Sequence, residues 1–265
     1  MRPLVLCAAV TLIATNLLAG HTYHFQSVTS QPRGEVSTAG TAVVDGGNVR
    51  VDFEKGDNML FSDKSVVISK DGGKNLVVID TAGKDYYEIK LDDILNIANV
   101  MARSRGGASF QISYANPTVT VKDEGDGGQV EGFATHKYGI DSSYDANVNM
   151  MGRAMSNHVE MRSELWVTDE LPAELTTFVQ WRGFRMGIPE LDELLDSQSR
   201  LIKGFPLREV MTSTTTSSRG GSRTWTTTTT ISNVKKNALP ASEFDVPAGY
   251  TKTEMPQRPS WRSAP

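Results

Sequence analysis

The four histidines are the side chains best suited to move a proton or hold a metal near neutral pH. His21 and His24 stand three residues apart. Were the chain to begin at His21, its amine and ring with a second imidazole would suit copper; an exposed terminal histidine is the other reading. His136 shares the phase of Ala134, Tyr138 and Ile140 in an alternating run. That phase directs it inward, either as a satisfied core histidine or as a ligand contact. His158 falls on a polar phase beside Glu160 and Arg162 and reads as a surface cross-strand partner. Glu190, Asp192, Glu193 and Asp196 read as the polar side of a helix. No Gly-x-Ser-x-Gly, phosphate loop or His-Glu-x-x-His occurs, and the only cysteine is Cys7. The expectation is a protein that is not an enzyme and carries no metal or cofactor.

Apolar recognition is better supplied. Met150, Met151, Met155, Met161 and Met186 are close in sequence or on neighbouring elements. Methionine is unbranched and adapts its shape, which suits either ordinary packing or a permissive apolar surface. The candidate ligand contacts, in a cavity or at its rim, are His136, Tyr138, Met151, Met155, Met161, Leu165 and Trp166.

These residues need strands to position them. From His158 to Thr168, Val159, Met161, Ser163, Leu165 and Val167 share one face, and His158, Glu160, Arg162, Glu164 and Trp166 the other. A companion run, Val130 to Tyr144, precedes it across a Gly- and Met-containing link. Trp166 falls on the polar face, where a large aromatic side chain needs a cover.

Upstream, Tyr23, Phe25 and Ser27 alternate with polar residues, and so do Val49, Val51 and Phe53. Asp45-Gly46-Gly47 and Asp71-Gly72-Gly73, 26 residues apart, are hairpin turns. Val66-Val67-Ile68 and Val77-Val78-Ile79 are apolar on both phases and need covering on both sides. Helical spacing marks Asp92 to Arg103, a segment beginning at Pro172, and a stripe of Leu191, Leu194, Leu195, Leu201 and Ile202. Ser109 to Tyr114 and Thr118 to Lys122 are strands, and Asp123 to Gly128 reads as a polar turn. Pro206 to Ser217 and Ser222 to Lys235 form a Thr-rich hairpin. Phe244 to Tyr250 is placed on the sheet.

The fold class expected is α+β, mainly β: a curved antiparallel sheet, a half-open β-barrel, with a few helices closing the concave face. Residues 1–20 have the layout of a signal peptide: Arg2, an apolar run from Leu4 to Ala14, and small residues at Ala19 and Gly20. Cleavage near Ala19 or Gly20 places the protein in the periplasm or outside the cell. His21 stands where a lipid-anchored protein needs cysteine. Residues 21–250 form one domain and 251–265 a loose Pro-rich tail. About 245 residues remain after residue 20, enough to bury roughly 70–75% of their unfolded surface without disulfides. No second apolar run is long enough to span a membrane. Without Arg2 the basic residues fall from 27 to 26 against 31 acids, a formal charge of −5, which disfavours nucleic acid as partner.

Asp45 to Phe53, Asp71-Gly72-Gly73, Asp85-Tyr86-Tyr87, Gly132-Phe133, His136-Lys137-Tyr138, Leu165 to Thr168 and Phe244 to Tyr250, in that order, resemble the LolA-like superfamily of outer-membrane lipoprotein carriers and receptors. Within it they most resemble an exported bacterial family of unknown function. The resemblance implies an apolar cavity between sheet and helices, able to hold acyl chains. No carrier binding residue maps onto this chain. The expected partner is therefore a lipid or lipoprotein acyl chain, or alternatively another envelope protein contacted by a structural module.

Overall fold

Alternation sets the first strand: Tyr23 and Phe25 are buried while Gln26 is exposed. The computed structural model describes residues 18–32, 34–56, 62–90, 110–150, 153–176, 193–194, 196–197 and 200–254. Its strands are β1 (Leu18–Gln31), β2 (Gly34–Asp45), β3 (Asn48–Lys55), β4 (Ser65–Ser69), β5 (Asn75–Asp80) and β6 (Asp85–Lys90). They continue with β7 (Phe110–Val130), β8 (Phe133–Met150), β9 (Arg153–Thr168), β10 (Phe205–Ser217), β11 (Ser222–Leu239) and β12 (Thr251–Lys252).

All twelve lie in one sheet, in the order β12-β6-β5-β4-β3-β2-β1-β11-β10-β9-β8-β7. The sheet is not closed, and every pairing is antiparallel except β12 with β6. Two meanders thus meet where β1 pairs with β11. The expected Asp-Gly-Gly turns close β2–β3 and β4–β5, and they touch: the Gly72 amide donates to the Gly47 carbonyl at 2.9 Å.

The inner face carries the main core. Tyr23, Phe25, Val51, Val67, Phe205, Leu207 and Ile231 are fully buried in it. Tyr23 packs edge-on to Phe205 at 5.4 Å, and Phe25 to Phe53 at 5.8 Å. The Tyr23 hydroxyl donates to the Leu175 carbonyl at 3.0 Å, fastening the segment after β9 over β1. Further along the same face, Ile140, Leu165, Val167 and Ile202 form a second cluster with Val119, Val121 and Tyr138 against it.

The outer face of β2–β5 is covered as the two-sided apolar runs require, by the C-terminal segment. Phe244, 2% exposed, packs with Val43, Val66, Ile68 and Ile79, joined by Val246 and Tyr250. Arg50 pins this segment: it bonds Asp52 at 2.9 Å and donates to the Glu243 carbonyl at 3.3 Å. Lys70 pairs with Asp245, and Lys252 with Glu88 at 2.8 Å.

Several local expectations change. Asp123 to Gly128 is strand, and the turn lies at Glu131–Gly132 (φ 55° and 85°). Gly125 and Gly128 take positive φ (82° and 72°) at two register shifts, so their freedom serves bulges. The Asp123 and Asp126 carboxylates accept the Gly125 and Gly128 amides, each at 2.8 Å. Another shift at Asn116 (φ 54°) and Pro117 merges the two strands expected on either side into β7. The Gly- and Met-containing link shrinks: pairing continues to Met150↔Arg153, and residues 151–152 lie outside those described.

Among the described residues the helices expected to close the sheet are seen only in part. After Pro172 there is one 3-10 turn, Ala173–Leu175, because Thr176 is already extended (ψ 114°). Residues 193, 194, 196, 197, 200 and 201 are helical, and Leu194 and Ile202 are buried. Leu201 ends that helix and is 56% exposed, so Ile202 enters the core in its place. The expected helix at 92–103 lies outside the described residues.

Candidate apolar ligand site on the inner face

Register decides which candidates meet. His136 pairs with Val167, Tyr138 with Leu165, Ile140 with Ser163, Ser142 with Met161, Tyr144 with Val159, and Val148 with Met155. Cross-strand partners share a face, so these residues all belong to the inner face. Five of the seven candidates stand there: His136, Tyr138, Met155, Met161 and Leu165. Met151 lies outside the described residues.

Trp166 does not join them. It pairs with Lys137 and Arg208 on the outer face. There its ring lies between the two cations, with the Lys137 ammonium 4.9 Å and the Arg208 guanidinium 5.0 Å from the centroid. Lys137 also bonds Glu164 at 2.6 Å and pairs with Glu124 at 3.1 Å, contacts that raise its pKa, the Glu164 bond most. A Cβ on Gly127 would come within 2.9 Å of the indole. The cover that Trp166 needs is therefore the bulged edge of β7 and two cation stems.

His136 points to the inner side but is not a core residue. Its ring is 4.8 Å from that of Tyr138, and its Nε2 lies 2.5 Å from Asp123 Oδ1. The Gly125 amide, and after it His136, hold the Asp123 carboxyl below its ordinary pKa. His158 is the outer-face partner expected: its Nδ1 meets Asp145 Oδ1 at 2.7 Å. His24 pairs with Glu54 at 3.5 Å. His21 lies within β1, where burial, and then the charge of Lys236, push its pKa down. Among the described residues no three His, Cys, Asp or Glu side chains gather as a metal site.

Towards the far ends of the long strands apolar side chains continue on the inner face, interspersed with Asn157, Thr215 and Arg223, and leave the packed clusters. Tyr114, Tyr144, Val148, Met155, Met161, Met211 and Trp225 are half-buried there and belong to none of the three core clusters. Tyr114 packs edge-on to Tyr144 at 5.9 Å, and burial pushes both phenols up from their usual pKa. Five of these, Tyr114, Tyr144, Val148, Met211 and Trp225, were not among the candidates. Their signal was phase: each occupies an inner position on its own strand, but only the register shows that the strands are neighbours.

The chain is thus an open, mainly antiparallel sheet of two joined meanders with its main core on the inner face. The chain belongs to the family described as Domain of unknown function (DUF4412), which matches residues 26–250. No curated protein matches the sequence. Among solved structures, the chain is similar to a LolA superfamily protein from Nitrosomonas europaea: 9% identity, 86% of this chain and 90% of that one, TM-score 0.30. It is also similar to a putative outer membrane lipoprotein-sorting protein domain from Vibrio parahaemolyticus: 8% identity, 85% and 89% coverage, TM-score 0.30. A third similar structure, PNGF-II, shares 14% identity over 89% of this chain at TM-score 0.34, and this chain spans 31% of its length. At such scores the backbones do not superpose closely.

Proposed function

We propose that this chain is an exported, non-enzymatic binding protein that holds an apolar ligand, a lipid or a lipoprotein acyl chain, against the inner face of its sheet. The observation that carries this reading is the strip of Tyr114, Tyr144, Met155, Met161, Met211 and Trp225, half-buried yet outside the core clusters. Adaptable thioethers beside aromatic rings suit chains of variable length and unsaturation. The signal-like first twenty residues supply the route to the periplasm or beyond. The test is titration with a fluorescent fatty acid, cis-parinaric acid. Saturable binding by the wild-type protein, and its loss in Met161→Glu, support the reading. No binding by the wild type overturns it.

A second reading, a structural module that contacts another envelope protein, is favoured by the outer face of the Thr-rich hairpin. Thr212 meets Thr226 at 3.3 Å and Thr214 meets Thr224 at 3.0 Å, a regular row of short side chains with low relief. Cross-linking from this face to a protein, with no bound lipid, would favour it over the first.

A further inference from the structure

Seven polar side chains are buried among the described residues: Ser65, Ser69, Thr135, Ser142, Ser163, Thr168 and Ser213. Four are satisfied. Ser65 donates to the Ser62 carbonyl at 2.8 Å, Ser69 to Asp71 at 2.9 Å and Thr135 to the Gly128 carbonyl at 2.8 Å. Thr168 accepts the Glu170 amide at 3.2 Å. The other three, Ser142, Ser163 and Ser213, are 6%, 7% and 2% exposed, and their hydroxyls make no hydrogen bond among the described residues. Buried hydroxyls nearly always have a partner, because leaving one unmade costs its full desolvation.

The three are not scattered. They stand on consecutive strands β8, β9 and β10 and share the inner face. One cross-strand row reads Ser142–Met161–Ser213 and the next Ile140–Ser163–Met211. Ser163 is thus the diagonal neighbour of both other serines, at about 7–8 Å between Cα atoms. Val119 flanks Ser142 on the β7 side, and Trp225 flanks Ser213 on the β11 side. The result is a patch of three neutral hydroxyls set in an apolar frame, in the middle of the strip described above.

Such a patch selects for chemistry. Its hydroxyls can donate to carbonyl oxygens without demanding a charge. On this face Glu209, opposite Leu165, and Arg223, opposite Thr215, flank the patch with opposite charges, so neither an anion nor a cation is selected. Pure hydrocarbon would bury the hydroxyls without satisfying them. We infer that Ser142, Ser163 and Ser213 form a subsite for the uncharged ester or amide carbonyls of an acylated ligand, whose chains lie along the Met and Tyr strip. The inference rests on the inner-face binding reading and adds to it the part of the ligand that is recognised.

The experiment compares 1,2-dioctanoylglycerol with its diether analogue, 1,2-di-O-octylglycerol, as competitors of cis-parinaric acid. The proteins are the wild type, Ser163→Ala, and the triple variant Ser142→Ala/Ser163→Ala/Ser213→Ala. Wild type is expected to prefer the diester by about tenfold, the ratio that one to three added hydrogen bonds produce. Ser163→Ala should lower that preference and the triple variant abolish it, with diether affinity unchanged in all three. Because the hydroxyls have no partner among the described residues, the triple variant should also melt no lower than the wild type in the ligand-free state. Equal affinity for diester and diether in the wild type, or an undiminished preference in the triple variant, overturns the subsite while leaving the apolar site standing. Failure of cis-parinaric acid and both glycerolipids to bind the wild type overturns the underlying reading as well.

Discussion

Leu165→Ala is the perturbation that tests the assignment of faces most sharply. Leu165 is 3% exposed and packs with Ile140, Val167 and Ile202 on the inner face. Truncation of a buried leucine to alanine costs about 2–5 kcal/mol, through lost transfer energy and the cavity left behind. For a chain of this size each kcal/mol moves Tm by about 2–4 °C, so a mid-range cost of about 3 kcal/mol lowers Tm by roughly 6–12 °C. Leu165→Asp adds an unpaired buried carboxylate and should approach the whole stability of a domain, about 5–15 kcal/mol, leaving little folded protein. The control is one register step from Leu165's own face. Glu160 is exposed, with its carboxylate 3.9 Å from His158, and Glu160→Ala should shift stability by no more than about 0.5 kcal/mol. Far-UV circular dichroism during thermal and urea unfolding reads all three. Equal Tm for Leu165→Ala and Glu160→Ala would refute the alternation from which both the core and the ligand strip were built.

Three other outcomes follow from the same geometry. Arg50→Ala, which removes the bond from β3 to the Glu243 carbonyl and the Asp52 contact that orients it, should cost about 1–3 kcal/mol and speed tryptic cleavage at Lys252; unchanged cleavage would show that the C-terminal segment holds without it. Asp123, held low by the Gly125 amide and His136, and Asp145, held low by Asn116 and His158, have folded pKa values below the unfolded one. Their contribution is therefore full above the ordinary carboxylate value of about 3.9 and is lost as pH falls through the depressed folded values; Tm in Asp123→Asn should depend less on pH across that acid limb than in wild type, and identical limbs would contradict this. Gly127→Ala would bring a Cβ within 2.7 Å of Thr135 Oγ1 and 2.9 Å of the Trp166 ring, so it should displace the indole and alter the near-ultraviolet dichroism, while the same change in a Trp166→Phe background should leave that spectrum alone.

Much of this fold was legible because a period of two is hard to mistake. Tyr23 and Phe25, then Val49, Val51 and Phe53, and then Val159, Ser163, Leu165 and Val167 bury the phase that their alternation marks, with Met161 half-buried among them. The doubly apolar runs at Val66 to Ile68 and Val77 to Ile79 correctly demanded two covers, and one of those is the Phe244 segment. Glycine was the weak point. A residue of positive φ looks the same in sequence whether it closes a turn, as at Gly132, or absorbs a bulge, as at Gly125 and Gly128. Helical spacing also promised more than it delivered near Pro172, where the chain extends again after one turn. The candidate site was legible one strand at a time. His136, Tyr138, Met155, Met161 and Leu165 could be put on an inner phase, but Met211, Trp225 and Ser213 join them only through the order β11-β10-β9-β8. Trp166 shows the same limit from the other side: Lys137 and Arg208, which flank it, come from β8 and β10 and are distant in sequence.

The most direct test of the central claim is to express the full chain in a bacterium that exports it, purify it without detergent, and analyse it by native mass spectrometry and organic extraction. The account predicts a stoichiometric acyl-bearing lipid that leaves on extraction and is replaced by cis-parinaric acid. A bare protein mass, together with no uptake of that probe, would contradict it.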